Sequence, residues 1–296
     1  MRTITARVVG VGAVMTVVAV APGLDAQRSP RDSETVVYSS LAPGNWDVYR
    51  FDRPGEPPRR LTTDPGLDYN PVVSPDGRWL VFTSERAGSP DLYALDLAQA
   101  GEPVRLTASD AMEDAADFSP DGRTLVFVST RTGNPDVYSM RFDPEDPDAG
   151  RDAVNLTRHA AGDYNPAVSP DGTQILFSSG RAADDAASGA LAAAGSEASE
   201  VFVMRADGTN VRRLTRQEGW DGSPAWSSDG QAVLFYSARD GETRIFEMRL
   251  DGTMARALSQ ADRGALAPVA GPDGRVAFSS RHGDRWSVVS VGADGG

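Results

Sequence analysis

The sequence contains no cysteine and no lysine. Without cysteine there are no disulfides, thiolate metal sites, cysteine nucleophiles or lipidated N-terminal cysteine. Every one of the 29 basic residues is arginine, outnumbered by 42 acids, and the formal charge of -13 repels a phosphate backbone, which excludes nucleic acid as a partner. Histidine occurs only at His159 and His282, so no three-histidine metal site is available, and neither residue recurs with the repeat or sits in an acid-base constellation. No apolar run is long enough to span a bilayer: the longest candidate, Val8 to Val20, has 13 residues against the roughly 20 required. The chain of 296 residues, 40% hydrophobic and 24% charged, is ample for a buried core.

The first 26 residues read as an export signal. Arg2 and Arg7 precede the uncharged run, Pro22-Gly23 breaks it, and Ala26 supplies a small residue for cleavage. Removal of Arg2, Arg7 and Asp25 takes away a net +1, so the mature chain carries -13 - 1 = -14. The expectation is a chain found in the periplasm or secreted, with 27–296 forming one domain and no transmembrane segment.

What fills that domain is a repeat. Ser74-Pro75-Asp76-Gly77 recurs at Ser119 and Ser169, then with one change at Ser227 and at Gly271, with spacings of 45, 50, 58 and 44. An apolar, β-branched or aromatic run follows each time, as in Trp79-Leu80-Val81-Phe82, and Asp-Gly between two such runs is a hairpin signal. A third strand follows at Asp91–Leu95, Asp136–Met140, Glu200–Met204, Arg244–Met248 and Trp286–Val289. A short fourth strand ends in Arg-Leu-Thr or a close variant. Units of four antiparallel strands at this spacing predict β-propeller blades. Runs at Thr35–Tyr38 and Asp47–Phe51 add a unit, which makes the expected fold an all-β six-bladed propeller. Residues 27 to 34 either complete blade one from inside or close blade six from outside; the sequence does not choose.

The unit P-x-x-SPDG-x-x-(I/L)-x-F-x-S-x-R-x-G-x-x-(D/E)-(I/V/L)-(Y/F), closed by Leu-Thr, stands at Pro71–Tyr93 with Leu106-Thr107 and again at Ala116–Tyr138 with Leu156-Thr157. It resembles the WD40-like repeat of the TolB-type propeller family. The resemblance implies a six-bladed propeller and a non-catalytic role in binding a protein or peptide ligand. TolB carries an α/β domain ahead of its propeller, whereas about eight residues lie between Ala26 and the first strand here.

Six residues before each tetrapeptide stand Asp68, Glu113, Asp163 and Asp221, then Ala265. With Tyr69, Asp114, Tyr164 and Trp220 beside them, they are expected to ring one mouth of the channel as a ligand-binding face. The same face receives a repeated Ser-x-Arg at Arg86, Arg131, Arg181, Arg239 and Arg281. Two carboxylates about 10 Å apart repel by roughly 1.7 kcal/mol at an effective dielectric near 20, so the ring needs partners. Two readings stand: the arginines pair with these acids, or with Asp91 and Asp136, and join blades; or the mouth binds a cationic or peptide segment or a metal ion. Blade five departs from the pattern, with Arg244 where blades one to four carry Asp or Glu. An insert rich in Ala, Gly and Ser, residues 182–199, projects on the same face as a lid or a tolerated loop. Asp143, Glu145, Asp146 and Asp148 lie in a far-face turn that lacks the ligand spacing of a Ca²⁺ loop. No cofactor is expected, although channel carboxylates leave a divalent cation open, and with it a rival reading as a lyase- or lactonase-type propeller enzyme. A structural module of an envelope assembly is the third. The oligomeric state is not legible.

Overall fold

The Asp-Gly turns are built as their residues dictate. Ser74 Oγ donates to Asp76 Oδ1 (2.5 Å) and accepts the Trp79 N–H (2.8 Å), while Asp76 Oδ1 also accepts the Arg78 N–H (3.0 Å). The same network recurs at Ser119, Ser169 and Ser227, and it holds the carboxyls of Asp76, Asp121, Asp171 and Asp229 below the usual range through the serine hydrogen bond. Gly172 adopts φ +73°, a conformation that needs the freedom of glycine.

The computed structural model describes residues 16–22, 34–41, 44–52, 56–99, 101–146, 150–181, 199–217, 219–239, 241–260, 264–283 and 285–292. These residues form strands and turns and no helix. Blade two shows the plan: an inner strand Asp68–Val73, a second Trp79–Ser84, a third Asp91–Asp96 and an outer Val104–Arg105, paired antiparallel in chain order. Blades three, four and five repeat it from inner strands Glu113–Phe118, Asp163–Val168 and Asp221–Trp226. Blade six has three described strands, Ala265–Ala270, Val276–His282 and Arg285–Val291. The inner strands abut in sequence around the ring, and blade one touches both blade two and blade six, so six blades close the propeller.

Blade one is where structure and expectation part. Its inner strand is Thr16–Pro22, paired with Glu34–Ser40. That segment lies inside the stretch read as the export signal, because a run of Val and Ala suits a sheet as well as a leader. Of the expected completing or closing segment, residues 27–34, residues 27–33 lie outside the described residues and Glu34 opens the second strand. Eleven residues (23–33) connect this strand to the next, where blade two uses five (74–78).

The blades pack through aromatic and aliphatic side chains. Phe82, Phe127, Phe177 and Phe235, one on the second strand of each of blades two to five, are fully buried, each contributing roughly 2–3 kcal/mol by removal from water. Main-chain bonds also join the blades. The N–H groups of Asp68, Glu113, Asp163, Asp221 and Ala265 donate to the carbonyls of Trp46, Pro90, Pro135, Ser199 and Thr243 of the preceding blade, at 2.8–2.9 Å.

Candidate functional site

Each inner strand from blade two to blade six carries a β-bulge at its middle. The residue there, Asn70, Ala115, Asn165, Ser223 or Ala267, takes a positive φ between 42° and 51°. The bulge divides the strand into two ends that serve different purposes.

At the end carrying the acids, the Ser-x-Arg repeat builds an internal clamp. Arg181 donates through Nε to Ser179 Oγ (3.0 Å) and through Nη2 to Asp163 Oδ2 (2.5 Å), and its guanidinium lies 5.1 Å and 5.4 Å from the ring centroids of Phe177 and Phe202. Arg86, Arg131 and Arg239 repeat these contacts with Asp68, Glu113 and Asp221 and with their own pairs of rings. A planar donor fork that also stacks on rings is what guanidinium provides and ammonium does not, which gives the lysine-free composition a structural use. All four acids are at most 1% exposed. Burial raises the carboxyls of Asp68 and Asp163 above the usual range, against the pull of Arg86 and Arg181. One oxygen each of Glu113, Asp163 and Asp221 is buried without a hydrogen-bond partner. The pairs lie within a blade; they do not join one blade to the next.

The third-strand acids form a second internal set. Arg60, Arg105 and Arg213 of the outer strands pair with Asp47, Asp91 and Glu200. Asp136 instead takes Asn155 Nδ2 (2.8 Å) and Thr157 Oγ1 (3.1 Å). The closing Thr of each Arg-Leu-Thr caps the third strand by accepting its backbone N–H, as Thr107 does from Leu92 at 2.9 Å. In blade five Arg244 turns to the Ser259 carbonyl.

The remaining residues of the expected acidic face divide. Tyr164 and Trp220 are 43% and 53% exposed. Asp114 is half-buried and ties blade three to blade two by accepting from Asn70 Nδ2 (2.8 Å) and Thr83 Oγ1 (2.7 Å). Tyr69 donates to Glu85 (3.2 Å). Arg281 of blade six, with Ala265 in the acid's place, meets Glu242 at 3.6 Å. His159 Nδ1 accepts the Ala161 N–H (3.0 Å) in a loop, and His282 is exposed. Asp143 and Asp146 pair with Arg141 on the far face. Residues 182–198 of the insert lie outside the described residues. Among the described residues no group of three or more His, Asp or Glu is placed to hold a metal ion.

The opposite end of the channel is open. There the bulge residues, the distal halves of the inner strands and the tetrapeptides of blades two to five line a cavity of about 510 Å³. Pro75, Pro120 and Pro170 form a collar at its rim, and Asn70, Asn165, Ser223 and Trp226 furnish its wall. Trp226 bridges two blades by donating Nε1–H to the Ala167 carbonyl at 3.0 Å. One carboxylate stands in this wall. Asp117 accepts the Val168 N–H of the next blade at 2.7 Å, and burial pushes its carboxyl up to about 6. The tetrapeptides at the rim of this cavity stood out in the sequence as turns, but Asp117 did not; the signal that was available is an Asp in an inner-strand slot filled elsewhere by Val72, Ala167, Ala225 and Val269.

A family model described as the TolB beta propeller domain matches residues 183–296. The chain folds as a β-propeller, and its residues 183–296 are similar to the TolB propeller domain. The Tol-Pal system protein TolB of Desulfosudis oleivorans is 34% identical over 64 residues, which is 22% of this chain and 15% of that relative's length. The structure of a putative TolB from Agrobacterium tumefaciens superposes with a TM-score of 0.67 at 25% identity, covering 81% of this chain and 82% of that one. An oligogalacturonate lyase solved in complex with manganese shares the fold at a TM-score of 0.57 and 16% identity, covering 98% and 95% of the two chains.

Proposed function

We propose that this chain is an exported, non-catalytic propeller that binds a peptide segment of a protein partner, as a TolB-like component of the cell envelope. The observation that carries the reading is the cavity at the tetrapeptide face, of a size for a few side chains, walled by uncharged groups apart from Asp117 and collared by proline. The likeness to a Tol-Pal system protein supports a protein partner. The acids at the other end are engaged by arginine, so the ligand enters at the tetrapeptide face and not at the acidic one.

Selection of a displayed random peptide library on the immobilised propeller tests this. Peptides are retained by the wild type and by Tyr164→Ala, and lost on Ser228→Trp, which fills the rim. Retention by Ser228→Trp together with loss on Tyr164→Ala returns the site to the acidic face. On the same reading the leader is cleaved after Ala26, which removes Thr16–Pro22 from blade one and leaves Glu34–Ser40 as its innermost strand. The mass of the exported chain reads the cleavage point directly.

A further inference from the structure

We propose that Asp117 is the specificity-determining residue of this cavity, and that its carboxylate receives an amine or guanidinium group carried by the incoming ligand. The inference rests on the cavity being the binding site and names the chemistry selected there.

Three observations lead to it. Asp117 is the single ionisable side chain among the described residues that line the cavity. The fold does not require a carboxylate at this position: the equivalent fifth residue of the other inner strands is Val72, Ala167, Ala225 or Val269. Asp117 is half-buried, and it also lacks what the fully buried acids have. Asp47, Asp68, Asp91, Glu113, Asp163, Glu200 and Asp221 each meet an arginine, and Asp136 meets an asparagine and a threonine hydroxyl. The described partners of Asp117 are two main-chain N–H groups, those of Val168 and Phe118.

A carboxylate in such surroundings is poorly solvated and uncompensated, and a cation entering the cavity supplies the missing partner. Burial raises its titration, which reflects how weakly the wall solvates the charge. An anionic or purely apolar ligand gains nothing from this wall. The acidic balance of the whole chain draws ligands of the same sign of charge as the one selected. An alternative role, a latch between blades three and four, uses only the bond to the Val168 N–H, and an amide oxygen at the same place preserves it.

The experiment follows the Asp117 carboxyl by carbon-13 NMR in the full chain, with propylguanidinium as the probe and propanol as the uncharged control. Propylguanidinium is expected to pull the titration toward the ordinary carboxylate range, and propanol to leave it in place. A titration that neither moves, or that both move equally, overturns the inference. In parallel, peptides selected on the wild type are expected to carry Lys, Arg or a free N-terminus, and to bind Asp117→Asn at least about tenfold more weakly. Asp117→Val, which restores the residue type of blades two and six, folds and loses the same peptides. Equal binding to wild type and Asp117→Asn overturns the inference and leaves peptide binding intact. A guanidinium response with no peptide selected sustains the cation site and removes the peptide reading.

Discussion

The two ends of the channel hold carboxylates in opposite states. At one end Asp68, Glu113, Asp163 and Asp221 are repeated, buried and each assigned an arginine from its own blade. At the other, Asp117 occurs once, in a wall where its equivalents are apolar, and has no ion pair among the described residues. A feature present in every repeat answers to the needs of the repeat, here the join between first and second strands. A polar group that breaks the repeat answers to something else. Burial alone does not separate the two, since it raises Asp163 and Asp117 alike. The separation is made by the presence or absence of a partner.

The sharpest way to break the contrast is to remove the partner where one exists. Arg181→Ala strips the cation from Asp163 in a pair whose side chains are 4% and 0% exposed, and is expected to cost about 3–5 kcal/mol in urea unfolding. A loss below about 1 kcal/mol would mean that the clamp is not structural. The opposite experiment is Asp117→Val, expected to stabilise by on the order of 2 kcal/mol at neutral pH. Its sign follows from the folded carboxyl titrating at about 6, above its ordinary 3.8. Between those values the folded state holds more protons than the unfolded one, so wild-type stability falls as pH rises through the window. The advantage of Asp117→Val therefore opens between about pH 4 and pH 6 and is absent below it; a pH-independent difference in melting would contradict the assignment.

Backbone effects are smaller. Ala115 holds φ 51°, so Ala115→Gly is expected to gain about 0.5–1 kcal/mol despite the usual penalty for glycine in a strand. Smallest is Trp220→Ala, on an exposed aromatic of the acidic end, which is expected to change melting by less than about 0.5 kcal/mol and to leave peptide capture untouched.

The propeller was legible because it is written five times over. The tetrapeptide, Ser-x-Arg and Arg-Leu-Thr each recur in register, and each proves to be one hydrogen-bonding device: a turn, a clamp and a strand cap. The spacing also brought Asp68, Glu113, Asp163 and Asp221 to one end of the ring. What spacing does not carry is depth. Whether those carboxylates face solvent or a guanidinium depends on rotamers and on rings contributed by the second and third strands, such as Phe177 and Phe202. The bulge was illegible for a related reason. Asn70, Ala115, Asn165, Ser223 and Ala267 share no side-chain chemistry, and their common φ is imposed by the sheet. Blade one was open in the sequence because Val and Ala in the run before Pro22 satisfy both a leader and a strand.

The clamp also changes what a protease meets. With no lysine in the chain, trypsin has only arginyl bonds to cut, and in blades two to five one of these per blade follows a guanidinium folded between rings. Cleavage after Arg181 must wait for blade four to open, whereas cleavage after the exposed Arg141 need not. Digestion kinetics resolved by site thus become a blade-by-blade gauge of local unfolding, with each probe already in the native sequence.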